Sequence, residues 1–164
     1  MVIWIIGKSG VGKSYFAKKI FDKLKLKIKK IIWVDGDKFR KKFSNDLGYS
    51  IKDRRLNSSR LQKHCLNYDK KKYLVICSVL SIFPDHQKRN VKIFSKYLQI
   101  YITVNQKILN KRNNKKIYSE EKNVVGKDIK FPKPYRSNLV IKNCYDKKFL
   151  DNLKKVNKMI FNEL

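Results

Sequence analysis

The chain is poor in acidic residues: 13 aspartates and glutamates stand against 41 lysines and arginines, and the formal net charge is +28. It has no run approaching the roughly 18 to 20 apolar residues that a bilayer span requires. The apolar stretch Val2 to Ile6 is too short for the core of a signal peptide. A soluble, cytoplasmic protein with no membrane partner is therefore expected. Cysteine is scarce and odd in number (Cys65, Cys77 and Cys144), and no C-x-x-C pair offers zinc-site or redox spacing. All three are read as reduced, mostly buried small hydrophobes. Arginine is scarce as well, seven residues against 34 lysines, and the lysines are spread over every segment. A charge of this size raises nucleic-acid binding as a hypothesis. A scattered lysine coat is instead a solvated surface that helps attract anionic nucleotides, and no specific nucleic-acid partner is expected. There is no internal repeat and no domain boundary. With 164 residues, 42% of them hydrophobic, one domain over 1–164 is the expectation.

What is present is an alternation of strand-length apolar runs with longer segments of helical period, the pattern of βαβ units around a parallel sheet. The expected strands are Val2 to Ile6, Ile31 to Val34, Tyr73 to Val79, Leu98 to Thr103 and Asn138 to Ile141. Between them, Ser14 to Leu26 reads as a helix with Phe16, Ile20, Phe21 and Leu24 on one face. Asp53 to Asn67 reads as another, with Leu56, Leu61 and Cys65 or Leu66 inward, followed by helices over Asp85 to Lys96 and Asn105 to Lys111. The tail from Asp146 repeats Phe149, Leu150, Leu153, Val156 and Ile160, a final amphipathic helix that docks on the sheet. Two stretches break the rhythm: the polar residues Asn110 to Ser119, and Asn123 to Ser137 with Pro132 and Pro134. Long irregular segments in a small domain are commonly lids.

Three groups of residues carry chemistry. Gly7-Lys8-Ser9-Gly10-Val11-Gly12-Lys13-Ser14 fits G-x-x-x-x-G-K-[ST] directly after an expected strand and before an expected helix. Its glycines let backbone N–H groups turn inward around phosphate oxygens, Lys13 adds a point charge near the β and γ phosphates, and Ser14 offers a hydroxyl to Mg²⁺. At the end of the second strand, Asp35-Gly36-Asp37-Lys38-Phe39-Arg40 places two carboxylates and a guanidinium at the carboxyl edge of the sheet. One carboxylate can deprotonate an attacking hydroxyl or hold water on a metal, and Arg40 can grip an anion. The same run also reads as an Asp-Gly turn with Asp37 as a helix N-cap, and one Asp can serve both ends. Finally, Tyr49 precedes a helix that carries Arg54 and Asn57 three residues apart on one face. A ring for a base, a guanidinium for a phosphate and an amide for a polar edge suit a nucleotide. Ser78 and Ser81 end the third strand.

In this order the pieces resemble the adenylylsulfate kinase family of P-loop kinases, from Ile3 to about Ile141. The register extends through Ser78-x-x-Ser81, Arg112-x-x-Lys115-x-Ile117-Tyr118, Val125-Gly126-x-Asp128 and Phe131-Pro132-x-Pro134. The resemblance implies an α/β fold: a P-loop NTPase-type three-layer sandwich with a five-stranded, mainly parallel sheet and a lid over about 110–126. It implies ATP and Mg²⁺ as cofactors and a homodimer. Gly7, Gly10, Gly12, Lys13, Ser14 and Arg112 would hold ATP, with Ser14 and Asp35 toward the metal. Asp37 would be the general base on the acceptor hydroxyl. Arg40, Tyr49, Arg54, Asn57, Leu80, Ser81, Lys115 and Val124 would face the acceptor, Ser81 standing where some relatives carry a phosphorylatable serine.

Three positions depart from the family pattern, all on the acceptor side. Ser59 replaces an arginine, Ile82-Phe83-Pro84 replaces a Pro-aromatic-Arg run, and Val124 replaces the Phe that stacks on the acceptor adenine. The leading expectation is transfer to the ribose 3′-hydroxyl of adenylyl sulfate, in sulfate activation. A relative acting on another acceptor, such as cytidine diphosphoramidate in capsule biosynthesis, stays open beside it. A nucleic-acid-binding NTPase is the remote alternative.

Overall fold

The computed structural model describes residues 1–111, 123–146 and 148–163. Strand β1 (Val2–Ile6) is buried along its whole length, as a central parallel strand covered on both faces must be. It pairs with β3 (Leu74–Val79) on one side and β4 (Tyr97–Thr103) on the other, while β2 (Ile31–Asp35) and β5 (Leu139–Lys142) form the edges. The order is β2-β3-β1-β4-β5, and every pairing is parallel, so the sheet is parallel throughout.

The period-2 alternation of β1 divides the core. Ile3 and Ile5 point to the face covered by α1 (Lys13–Leu24) and α6 (Lys148–Glu163), where they meet Phe16, Ile20, Phe149 and Val156. Val2, Trp4 and Ile6 point to the opposite face, against Phe39 of α2 (Gly36–Phe43) and Leu61 and Cys65 of α3 (Ile51–Lys70). Helix α4 (Pro84–Ile93) lies against α3, and α5 (Gln106–Lys111) follows β4. These are the three layers expected. No helix among the described residues is long and apolar enough to cross a membrane.

Differences from the expected elements have local causes. The helix over residues 36–43 starts at Gly36, before Asp37, because the Asp35 side chain accepts from the Asp37 and Lys38 amides and caps it. The cap is thus Asp35 and not Asp37. Helix α3 begins at Ile51, since Ser50 accepts from the Asp53 amide. Leu56 is exposed rather than inward, because the sheet receives only the later turns, at Leu61 and Cys65. Pro84 opens α4 with its fixed φ, one residue before the expected start. Cys65 and Cys77 are buried as expected, whereas Cys144 is exposed.

A line of buried amides fastens the loops on the acceptor side to the sheet. Gln99 of β4 is fully buried; it donates to the Tyr135 carbonyl at 2.6 Å and accepts from the Tyr97 hydroxyl at 2.7 Å. Gln87 of α4 donates to the Ser81 carbonyl at 3.2 Å and accepts from the Tyr135 amide at 2.7 Å. Gln62 of α3 joins the line by donating to Asn90 at 2.6 Å.

Candidate active site

The chain leaves β1 leftward through α1 to β2, and leaves β3 rightward through α4 to β4, so the carboxyl ends of β1 and β3 flank a topological switch point. A crevice opens there. Its floor is the loop from Gly7 to Gly12. Gly7 has φ +151, and a Cβ at this position would lie 2.3 Å from the Ile102 carbonyl oxygen. Gly12 has φ +96 at the entrance to α1, and a Cβ there would meet the Asn143 amide nitrogen at 2.8 Å. Side chains are excluded at both turns, which brings the loop backbone close to β4 and leaves its N–H groups available to an anion.

Lys13 curls over the loop and donates to the Lys8 carbonyl at 2.7 Å. The Ser14 hydroxyl donates to Asp35 Oδ2 at 2.5 Å, and the Ser78 hydroxyl donates to the same oxygen at 3.0 Å. Ser78 in turn accepts from the Trp33 indole at 3.1 Å. Burial pushes the Asp35 carboxyl up, but the hydrogen bonds from Ser14, the Lys38 amide, Ser78 and the Asp37 amide outweigh it and hold the group below its ordinary value. Asp35 is therefore ionised at neutral pH. With Ser14 it forms a pair of hard oxygen donors beside the phosphate loop, a donor set that suits Mg²⁺ completed by phosphate oxygens and water.

Two clefts meet here. The smaller, about 230 Å³, holds Gly10, Gly12, Lys13, Ser14 and Asp35. The larger, about 730 Å³, is walled by Arg40, Tyr49, Arg54, Asn57, Phe83 and Val124. Asp37, Ser9, Val79 and Leu80 line both. A carboxylate on the boundary between a phosphate-binding cleft and a second cleft is placed to act on a group entering from the second.

The second cleft is held open by cations acting on backbone. Arg40 donates to the Leu47 carbonyl at 3.3 Å and to the Gly48 carbonyl, and its guanidinium lies 4.5 Å from the Tyr49 ring centre. Arg54 donates to the Tyr49 carbonyl at 3.0 Å and to the Asn123 carbonyl at 2.9 Å, and its guanidinium is 5.3 Å from the same ring. Arg54 thereby joins the start of α3 to the segment carrying Val124. The Val124 side chain is buried, and its amide donates to Asp128 at 2.8 Å. Ser81 is buried and accepts from the Gln87 side chain at 3.2 Å, so its hydroxyl is turned into the protein. The Asn57 Oδ1 atom is sealed from solvent with no hydrogen-bond partner among the described residues.

Of the residues singled out from sequence, Gly10, Gly12, Lys13, Ser14, Asp35 and Asp37 share the first cleft, and Asp37, Arg40, Tyr49, Arg54, Asn57, Leu80 and Val124 share the second. Arg112 and Lys115 lie outside the described residues. Sequence reasoning gave Ser78 no firm role and missed Trp33, which reads as an ordinary strand residue. Ser9 was hidden among the variable positions of its own motif.

A phosphate-binding loop at the switch point, an ionised Ser14–Asp35 corner and a second cleft meeting it at Asp37 define a P-loop nucleotide kinase. The chain belongs to the adenylylsulphate kinase family, whose model matches residues 1–142. It is 34% identical over 150 residues to the cytidine diphosphoramidate kinase of Campylobacter jejuni, covering 87% of this chain and 85% of that protein. The adenylyl-sulfate kinase of Clostridium acetobutylicum is 28% identical over 160 residues, covering 93% and 80% respectively. A solved structure of the Mycobacterium tuberculosis APS kinase, in complex with AMPPNP and APS, matches with a TM-score of 0.86 at 24% identity, covering 97% of this chain and 96% of that one. At that identity the match shows the shared fold.

Proposed function

We propose that the enzyme transfers the γ-phosphoryl group of ATP to the ribose 3′-hydroxyl of a small nucleotide, and that this acceptor is cytidine diphosphoramidate in preference to adenylyl sulfate. The observation that carries the transfer is the meeting of the two clefts at Asp37. The phosphate loop and Lys13 hold the donor phosphates. Ser14 and Asp35 would hold Mg²⁺, which would supply neutralisation of charge on the phosphate oxygens. The acceptor hydroxyl oxygen attacks the γ-phosphorus in line, the bond to the bridging oxygen breaks, ADP leaves, and the hydroxyl proton passes to Asp37. Positioning and charge neutralisation supply most of the acceleration. Arg40, Tyr49 and Arg54 orient the acceptor.

The choice of acceptor departs from the leading sequence expectation. Ser59, Pro84 and Val124 remove two cations and the adenine-stacking ring on this side alone, while the donor side keeps every expected residue. The similarity to the cytidine diphosphoramidate kinase, at 34%, exceeds that to the adenylyl-sulfate kinase of C. acetobutylicum, at 28%. Adenylyl sulfate remains the second reading, favoured by the family match itself.

Initial rates with MgATP and each acceptor, measured side by side, test both levels. A higher kcat/KM for cytidine diphosphoramidate is expected. A preference for adenylyl sulfate would reverse the acceptor assignment, and turnover of neither would sink the nucleotide 3′-kinase reading.

A further inference from the structure

The turn after β5 lies beyond the family match, which ends at residue 142, yet it touches the phosphate loop more than 130 positions earlier in the chain. The Asn143 side chain is buried, and its amide donates to the Val11 carbonyl at 3.0 Å. The Tyr145 hydroxyl donates to the neighbouring Gly10 carbonyl at 2.9 Å. The two residues are fixed to each other, because the Tyr145 amide donates to Asn143 Oδ1 at 2.7 Å, and to the sheet, because the Asn143 amide donates to the Thr103 carbonyl at 2.8 Å.

A peptide unit that aims its N–H at a phosphate must aim its carbonyl the opposite way. Two consecutive carbonyls of the phosphate loop are here held outward by two side-chain donors from one turn. Tyr145 adopts φ 59 to do so. The left-handed region is unfavourable for a bulky residue, and it persists where the surroundings over-determine it. In this turn the surroundings include the two hydrogen bonds that end on the loop and on Asn143.

We infer that Asn143 and Tyr145 are positioning residues for the ATP phosphates: they pin the Gly10 and Val11 carbonyls outward and so pre-set the loop's N–H groups for the donor. Without the brace, each ATP molecule would have to order the loop on binding, and donor affinity would fall. The acceptor cleft does not include either residue. This inference rests on the assignment of ATP as donor.

The test is direct binding by calorimetry of ATP, and separately of cytidine diphosphoramidate, to the wild-type chain and to Tyr145→Phe. The substitution removes one hydroxyl and keeps the ring. The Kd for ATP is expected to rise about three- to tenfold, the worth of one hydrogen bond, with acceptor Kd unchanged. Asn143→Asp, which keeps the shape and the acceptor oxygen but loses the donor, should weaken ATP at least as much. Unchanged ATP affinity in Tyr145→Phe, or equal losses for ATP and acceptor, would overturn the inference. Failure of the wild-type chain to bind ATP would instead overturn the proposed function.

Discussion

Lys13 and Asp35 divide the work at the phosphate end of the site. Replacing Lys13 with Ala removes a positive charge from the donor phosphates and one hydrogen bond to the Lys8 carbonyl. A fall in kcat of about 10²- to 10³-fold is expected, in a protein whose circular dichroism stays that of the parent; near-parental turnover would refute the assignment. Asp35 makes a prediction about acid. In the unfolded chain an aspartate titrates near ~3.9, and Asp35 is held lower in the folded protein. The unfolded state therefore takes up the proton first as pH falls. The stabilisation is complete above the unfolded value and is lost as pH drops through the folded one. Thermal melts from about pH 6 to about pH 3 should show a shallower acid decline for Asp35→Asn than for the parent, and parallel declines would count against an ionised Asp35. Asp22, Asp46, Asp69 and Asp85 are also held low and contribute to the remaining acid sensitivity.

Helix α3 serves packing and recognition with different turns. Its later turns bury Leu61 and Cys65 against the sheet, while its first turns carry Arg54 and Asn57 to the acceptor cleft. Because Arg54 bridges the Tyr49 and Asn123 carbonyls, it sets the width of that cleft. Arg54→Met should raise the KM for the acceptor about tenfold and leave the KM for ATP nearly unchanged; a matched rise in both would argue that the helix acts only as scaffold. Strand β4 and α4 hold the opposite wall through Gln99 and Gln87. Gln99→Ala leaves a buried gap and takes the acceptor from the Tyr97 hydroxyl proton and the side-chain donor from the Tyr135 carbonyl, with an expected loss of about 2–4 kcal/mol. Urea unfolding measures it, and a loss within error of zero would show the amide line to be dispensable.

At the scale of the whole molecule, a net charge of +28 surrounds a site for polyanionic nucleotides. Summed fields of this kind raise encounter rates and are screened within about 8 Å at physiological salt. Raising ionic strength should therefore lower kcat/KM for both nucleotides several-fold while kcat stays nearly constant. A salt-independent kcat/KM would leave the lysine coat without a part in capture.

The strands were legible to within a residue or two because in a doubly covered parallel sheet each must be a short apolar run, and β1 to β5 are. The phosphate loop was legible because its chemistry is local: glycines, Lys13 and Ser14 act within eight consecutive positions. Helix α2 was not, since its start depends on which aspartate caps it, and in the folded chain Asp35 does. The partners of that same carboxylate were also hidden. Ser78 reaches Asp35, and Trp33 reaches Ser78, only because β2 lies beside β3 in register, a pairing made across more than forty residues. The sequence alone thus determined the α/β class and the donor loop, through periodicity and a contiguous motif. Tertiary structure decided that Asp37 stands between two clefts, that Arg54 bridges two walls of one of them, and that Asn143 and Tyr145 return to the phosphate loop, because each of these depends on where distant segments meet.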